Sequence, residues 1–179
     1  MENPANQKLV ELHPVRYLGS FMMLSKEETI KYAVRFVEKG FLCSEAVLSA
    51  LSQTLNIESD IIPKIATGFG AGISRLGEVC GAVSGAIMGL GLQFGRNTVQ
   101  ESPLETEPYE FGTTMANLFI TRFGHLRCRD LIGLNLAVEA DRQAYRELKL
   151  WETRCRDIVR ISTGLAYDLL EARTGDSNP

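Results

Sequence analysis

Cys80-Gly81-Ala82-Val83-Ser84-Gly85-Ala86-Ile87-Met88-Gly89 says more about the architecture than any other part of the chain. Its glycines recur every fourth residue, which places Gly81, Gly85 and Gly89 on one face of a helix. Each glycine inside a helix costs about 1 kcal/mol relative to alanine, so the three together cost roughly 3 kcal/mol. Only a close approach to bare backbone offsets such a loss, and another helix or a cofactor lying on the stripe would provide it. We expect the stripe to face another helix. The helix itself is expected to begin between Glu78 and Cys80.

Gly68-Phe69-Gly70-Ala71-Gly72 and Gly77 precede this helix and read as an irregular, turn-rich loop. They lack the G-x-x-x-x-G-K-[ST] order of a phosphate-binding P-loop, and no strand precedes them. Further upstream, Ser25-Lys26-Glu27-Glu28 is a capping-box pattern. Ile30, Ala33, Val34 and Val37 follow at helical spacing until Gly40 stops it. A second helix is expected from about Cys43 to Leu55. A third is expected from Ser59 or Asp60 to just before Gly68, with Pro63 tolerable only near its start. Helical pattern resumes from Tyr109 to Phe123, from about Cys128, and from Leu150 to about Leu170.

No strand alternation appears, so the expected fold is all-α: a single compact domain of about seven helices, with the glycine-rich loop ahead of the glycine-striped helix. Its halves, 25–95 and 109–173, are joined by a Pro-containing linker at 96–108. Residues 1–24 form an N-terminal extension and 174–179 a tail.

At 179 residues the chain is long enough for one domain with a real core. Apolar residues make up 45% and charged residues 23%, an ordinary globular balance. A net charge of -3 gives no support for a nucleic-acid partner, which usually leaves a basic stripe. The most apolar stretch, Val79 to Phe94, is shorter than the roughly 20 residues that span a bilayer. Met1 to Leu24 mixes charges with apolar residues and lacks the pattern of a secretory signal. We therefore expect a cytoplasmic protein that is not membrane-embedded. In a reducing compartment, four cysteines point to metal or redox chemistry before structural disulfides.

Those cysteines are Cys43, Cys80, Cys128 and Cys155. No two form a C-x-x-C pair, which excludes a zinc ribbon, a thioredoxin motif, a ferredoxin run and covalent c-type haem. A shared site would have to be assembled by the fold, with Cys43, Cys80 and Cys128 at helix starts where backbone N–H groups favour a thiolate. Cys155 falls near the start of the last helix, beside Trp151. Four unconnected core cysteines remain the plainer alternative. Two cysteines sit in a repeat, Arg127-Cys128-Arg129-Asp130 and Arg154-Cys155-Arg156-Asp157. Its arginines would favour thiolates and offset an anionic metal centre. Of the two histidines, His13 and His125, the second lies one turn before Cys128 and could replace a sulfur ligand, but a surface or capping role is expected for it. Glu78 is expected to be a helix-start acid. No Ser/His/Asp set supports hydrolase chemistry.

Five ordered segments carry a family resemblance: Phe41 to Ala46, Gly68 to Gly72, Gly77 to Ala86, Phe123 to Leu131, and Cys155 to Val159. They resemble the C_GCAxxG_C_C family of redox-active proteins, defined by four cysteines and a CGAxxG core. The likeness runs from about Lys26 to Leu170. It implies a helical redox domain, one that also occurs in split-Soret-type cytochromes, where it accompanies haems and is linked to an iron–sulfur centre. With the resemblance, the leading expectation is an electron-transfer or redox-sensing module in which all four cysteines are cofactor and metal ligands of an iron–sulfur cluster, with zinc as another metal. A metal-free thiol–disulfide oxidoreductase with Cys80 as its redox thiol is the alternative. A helical interaction protein is the third reading. The redox partner is not identified, and a homodimer stays open.

Overall fold

The computed structural model describes residues 24–96 and 109–175. The expected extension at 1–24, linker at 96–108 and tail at 174–179 fall almost wholly outside them. Among the described residues eight helices carry the fold: α1 (Lys26–Glu38), α2 (Cys43–Thr54), a one-turn, left-handed α3 (Gly70–Ile73), α4 (Gly81–Phe94), α5 (Glu110–Phe123), α6 (Cys128–Ile132), α7 (Glu139–Glu147) and α8 (Arg156–Gly175). No helix among them is long and apolar enough to cross a membrane.

α2 lies at the centre. Eleven residues of it are buried, its polar Ser44, Ser49 and Ser52 included. α4 packs against α2, and α1 and α8 pack against each other and against α2. The halves share one core, in which Val47 and Leu51 of α2 and Val83 and Leu90 of α4 join Met115 and Phe119 of α5 and Val159 and Leu170 of α8.

The local reasons are legible. α1 starts on a complete capping box, Ser25 Oγ accepting from the Glu28 N–H while the Glu28 carboxylate accepts from the Ser25 N–H. The glycine stripe faces α2 at backbone range. A Cβ at Gly81 would stand 2.5 Å from Cys43 Sγ and 2.8 Å from the Phe69 carbonyl oxygen. One at Gly85 would overlap the Ser44 carbonyl, and one at Gly89 the Leu51 side chain. Helix α4 begins at Gly81 with Cys80 as its N-cap, slightly later than the sequence spacing predicts.

Three segments depart from expectation. The third helix is a 3-10 turn at Lys64–Phe69 that starts only after Pro63, because proline disfavours a helical conformation in the residue before it. The glycine-rich loop is more regular than its composition indicates. Ala71, Gly72, Ile73, Ser74 and Arg75 all have positive φ, a turn of left-handed chain. Four of the five carry a Cβ, and left-handed geometry costs such residues roughly 1–2 kcal/mol each. The last helix is preceded by a π turn at Trp151–Cys155, in which the Cys155 N–H donates to the Leu150 carbonyl at 2.8 Å.

Candidate functional site

All four cysteines line one cavity of about 290 Å³. Each arrives on a different element. Cys43 is the first residue of α2, fixed by the close approach of α4 at Gly81. Cys80 caps α4, and Cys128 opens α6. A short antiparallel bridge between Val79 and Arg127 sets these two side by side. In it the Cys80 N–H donates to the Leu126 carbonyl at 2.9 Å and the Cys128 N–H to the Glu78 carbonyl at 2.7 Å. Cys155 comes in from the π turn. Such an insertion rotates the downstream helix by about 100° relative to an unbroken one, the angle between successive residues.

Cys43, Cys80 and Cys128 are buried and Cys155 is partly so; all four are free thiols. Backbone N–H groups of Ala71, Ser44, Cys43 and Gly81 favour the Cys43 thiolate, and Ala71 belongs to the left-handed turn. Tyr145 of α7 donates its hydroxyl to Cys155 Sγ at 3.3 Å. No group of three or more His, Cys, Asp or Glu side chains near enough to share one metal ion occurs among the described residues.

The expectation that helix starts leave these sulfurs as ready thiolates is corrected. Burial pushes Cys43 up despite its four amide donors. Cys80 is raised well above its ordinary value, by burial first and then by repulsion from Cys43 and Cys128. Cys128 is pushed up to about 12 by burial and by Cys43 and Cys155. Cys155 is pushed up to about 11 by burial, against the pull of the Tyr145 hydrogen bond. Desolvation and mutual repulsion outweigh the helix-terminus effect here.

The arginine repeat is likewise corrected. Arg127 and Arg129 both pair with Glu78, at 3.3 and 2.7 Å. Arg129 also donates to the Leu76 carbonyl at 2.6 Å, so this copy braces the bridge and leaves the cavity alone. Glu78 is accordingly their ion-pair partner and lies outside α4. Arg154 donates to the Leu131 carbonyl at 3.2 Å and lies over the Phe123 ring. It is the one arginine of the repeat whose charge reaches a sulfur, lowering Cys155 weakly. Arg156 and His125 are exposed, and neither lines the cavity; His13 lies outside the described residues. The arginines that do line it are Arg75, Arg142 and Arg146. Neither these nor Tyr145 carry any local sequence signal, since they reach the site from the left-handed turn and from α7.

No curated protein and no solved structure matches the chain. A family model matches residues 41–169, the span that contains every segment of the cavity described above. With four cysteines on one cavity and the CGAxxG glycines holding the first two together, the chain belongs to the C_GCAxxG_C_C family, whose description is "Putative redox-active protein (C_GCAxxG_C_C)".

Proposed function

We propose that this protein is an electron-transfer or redox-sensing module in which Cys43, Cys80, Cys128 and Cys155 hold one iron–sulfur cluster. The observation that carries this reading is that four cysteines distant in sequence line a single cavity. Unconnected core cysteines would have no reason to meet.

The donor set fits the group. Thiols must lose their protons to bind a metal, and in the metal-free fold burial raises all four, with repulsion from neighbouring cysteines adding to it at Cys80, Cys128 and Cys155. A cationic centre among them reverses that balance. Four sulfurs lining one cavity, with no three such side chains close enough among the described residues to share one ion, suit a multi-iron cluster, whose ligands stand apart, better than a single tetrahedral zinc ion. A bound cluster would supply a reversible one-electron carrier. The chain's own contribution is to hold the sulfurs in place, exclude water and aim hydrogen-bond donors at them. The amides around Cys43 and the Tyr145 hydroxyl on Cys155 stabilise negative charge on sulfur, which favours the reduced form. The thiol–disulfide alternative needs a resting thiolate, and the buried Cys80 does not supply one.

Anaerobic purification followed by iron and sulfide assay tests the proposal. Stoichiometric iron and sulfide with visible charge-transfer bands is the expected result, lost on Cys→Ser substitution at any of the four positions. A colourless protein that takes up no iron on anaerobic reconstitution, with four titratable thiols, would overturn it.

A further inference from the structure

The charge on the cavity wall runs against that of the molecule. The chain carries 22 acidic and 19 basic residues, yet three arginines and no carboxylate line the cavity. Burial orders the lining: Cys43, Cys80 and Cys128 are buried, whereas Arg75 and Arg146 are exposed and therefore mark the outer end. Arg142 is held rigidly, donating to the Leu136 carbonyl at 2.8 Å and to Glu139 Oε2 at 3.0 Å. Arg146 shares the same Glu139 carboxylate at 3.2 Å. One acid thus serves two guanidiniums. Arg75 makes no ion pair among the described residues, although it is carried at positive φ at the end of the left-handed turn. Apolar side chains, Leu136, Ile132 and Trp151 among them, complete the lining.

The geometry points to a binding site for a small organic acid in the outer half of the cavity, with its anionic head among Arg75, Arg142 and Arg146 and its apolar body along Trp151 and Leu136. A cation is disfavoured by the wall, and an inorganic anion leaves the apolar surface unfilled. A neutral apolar molecule leaves the surplus positive charge unmatched. This site depends on the cavity and its arginines and not on which group the sulfurs hold.

Trp151 is the only tryptophan of the chain and lines the cavity, so its fluorescence reports occupancy directly. The test titrates the full-length protein, metal-free and cluster-loaded, with hexanoate and with hexanol in a buffer free of carboxylate and phosphate. Hexanoate is expected to give a saturable change in both states and to bind at least tenfold more tightly than hexanol. Arg75→Gln should weaken hexanoate at least tenfold while Arg75→Lys retains most of the binding. Absence of saturation with hexanoate, equal binding of hexanol, or an Arg75→Gln protein that binds like the parent would overturn the inference. Saturation by hexanoate only in the metal-free form would also overturn it, since the arginines would then serve the sulfur centre alone. Iron and sulfide content is measured separately, so failure here leaves the cluster reading standing or falling on its own assay.

Discussion

The α-carbon of Gly81 is packed so closely on Cys43 that a methyl group there would stand 2.5 Å from the sulfur. No nonbonded carbon–sulfur contact is that short, so Gly81→Ala must shift either α4 or the Cys43 side chain. We expect a loss of about 1–3 kcal/mol together with reduced iron uptake. Gly91→Ala, on the same helix, meets only the Phe111 ring at 4.0 Å and should be neutral or stabilising by up to about 1 kcal/mol. Denaturant midpoints for the two variants check the contrast; equal midpoints would remove the stripe as a packing surface.

Tyr145→Phe keeps the ring and deletes the hydroxyl that donates to Cys155. With a cluster in place, losing a donor to a ligand sulfur destabilises the more negative, reduced form. A hydrogen bond of about 0.5–1.5 kcal/mol corresponds to a fall of roughly 20–65 mV for one electron. Redox titration of parent and variant measures it, and an unchanged or raised potential would contradict the role given to the phenol.

The arginines of the repeat should separate into two kinds. Arg129→Gln removes the brace on Glu78 and the Leu76 carbonyl and is expected to cost about 1–2 kcal/mol of stability. The more exposed Arg127→Gln should cost under about 1 kcal/mol. Neither should move the reduction potential as far as Arg154→Gln, whose charge reaches Cys155. Thermal melts and redox titration of the three variants decide the assignment. A larger potential shift from Arg127→Gln would restore the repeat as an electrostatic device.

The thiols give the metal-free protein a signed pH dependence. Unfolded cysteines ionise near their ordinary 9.0, while folded Cys155 and Cys128 hold their protons to about 11 and about 12. The unfolded chain therefore sheds protons first, and stability present below pH 9 is lost as pH rises through 9 to 12. Cys128→Ser should flatten that loss in denaturant titrations. Iodoacetamide mapping should find Cys155 the first to react and all four slow at neutral pH. A thiol alkylated rapidly at pH 7 would reverse the argument.

How much of this was legible in the sequence depends on how local each signal is. The capping box at Ser25, the glycine stripe and the helix starts at Cys43 and Cys128 all depend on residues a few positions apart, and each is where the pattern places it. The five-residue left-handed turn was not legible, because only Gly72 among its members favours positive φ and tertiary packing enforces the rest. The Val79–Arg127 bridge pairs segments separated by the whole of α4 and α5, so no window of sequence contains it. The same holds for Tyr145 and the three cavity arginines. The repeat misled for a related reason: sequence places Arg127 beside Cys128, but the bridge turns it toward Glu78.

The position of α8 has a consequence for the order in which the site comes together. Cys155 enters directly ahead of α8, which packs along α1, with Lys26 and Asp168 paired at 2.6 Å. During synthesis the first three cysteines emerge before the fourth, and α1, which also packs on α2, stays open on its α8 side until α8 is complete. Closing the helical bundle and delivering the last sulfur are thus one event. A chain stalled before Trp151 would have three cysteines, and its α1 and α2 would lack the face that α8 covers.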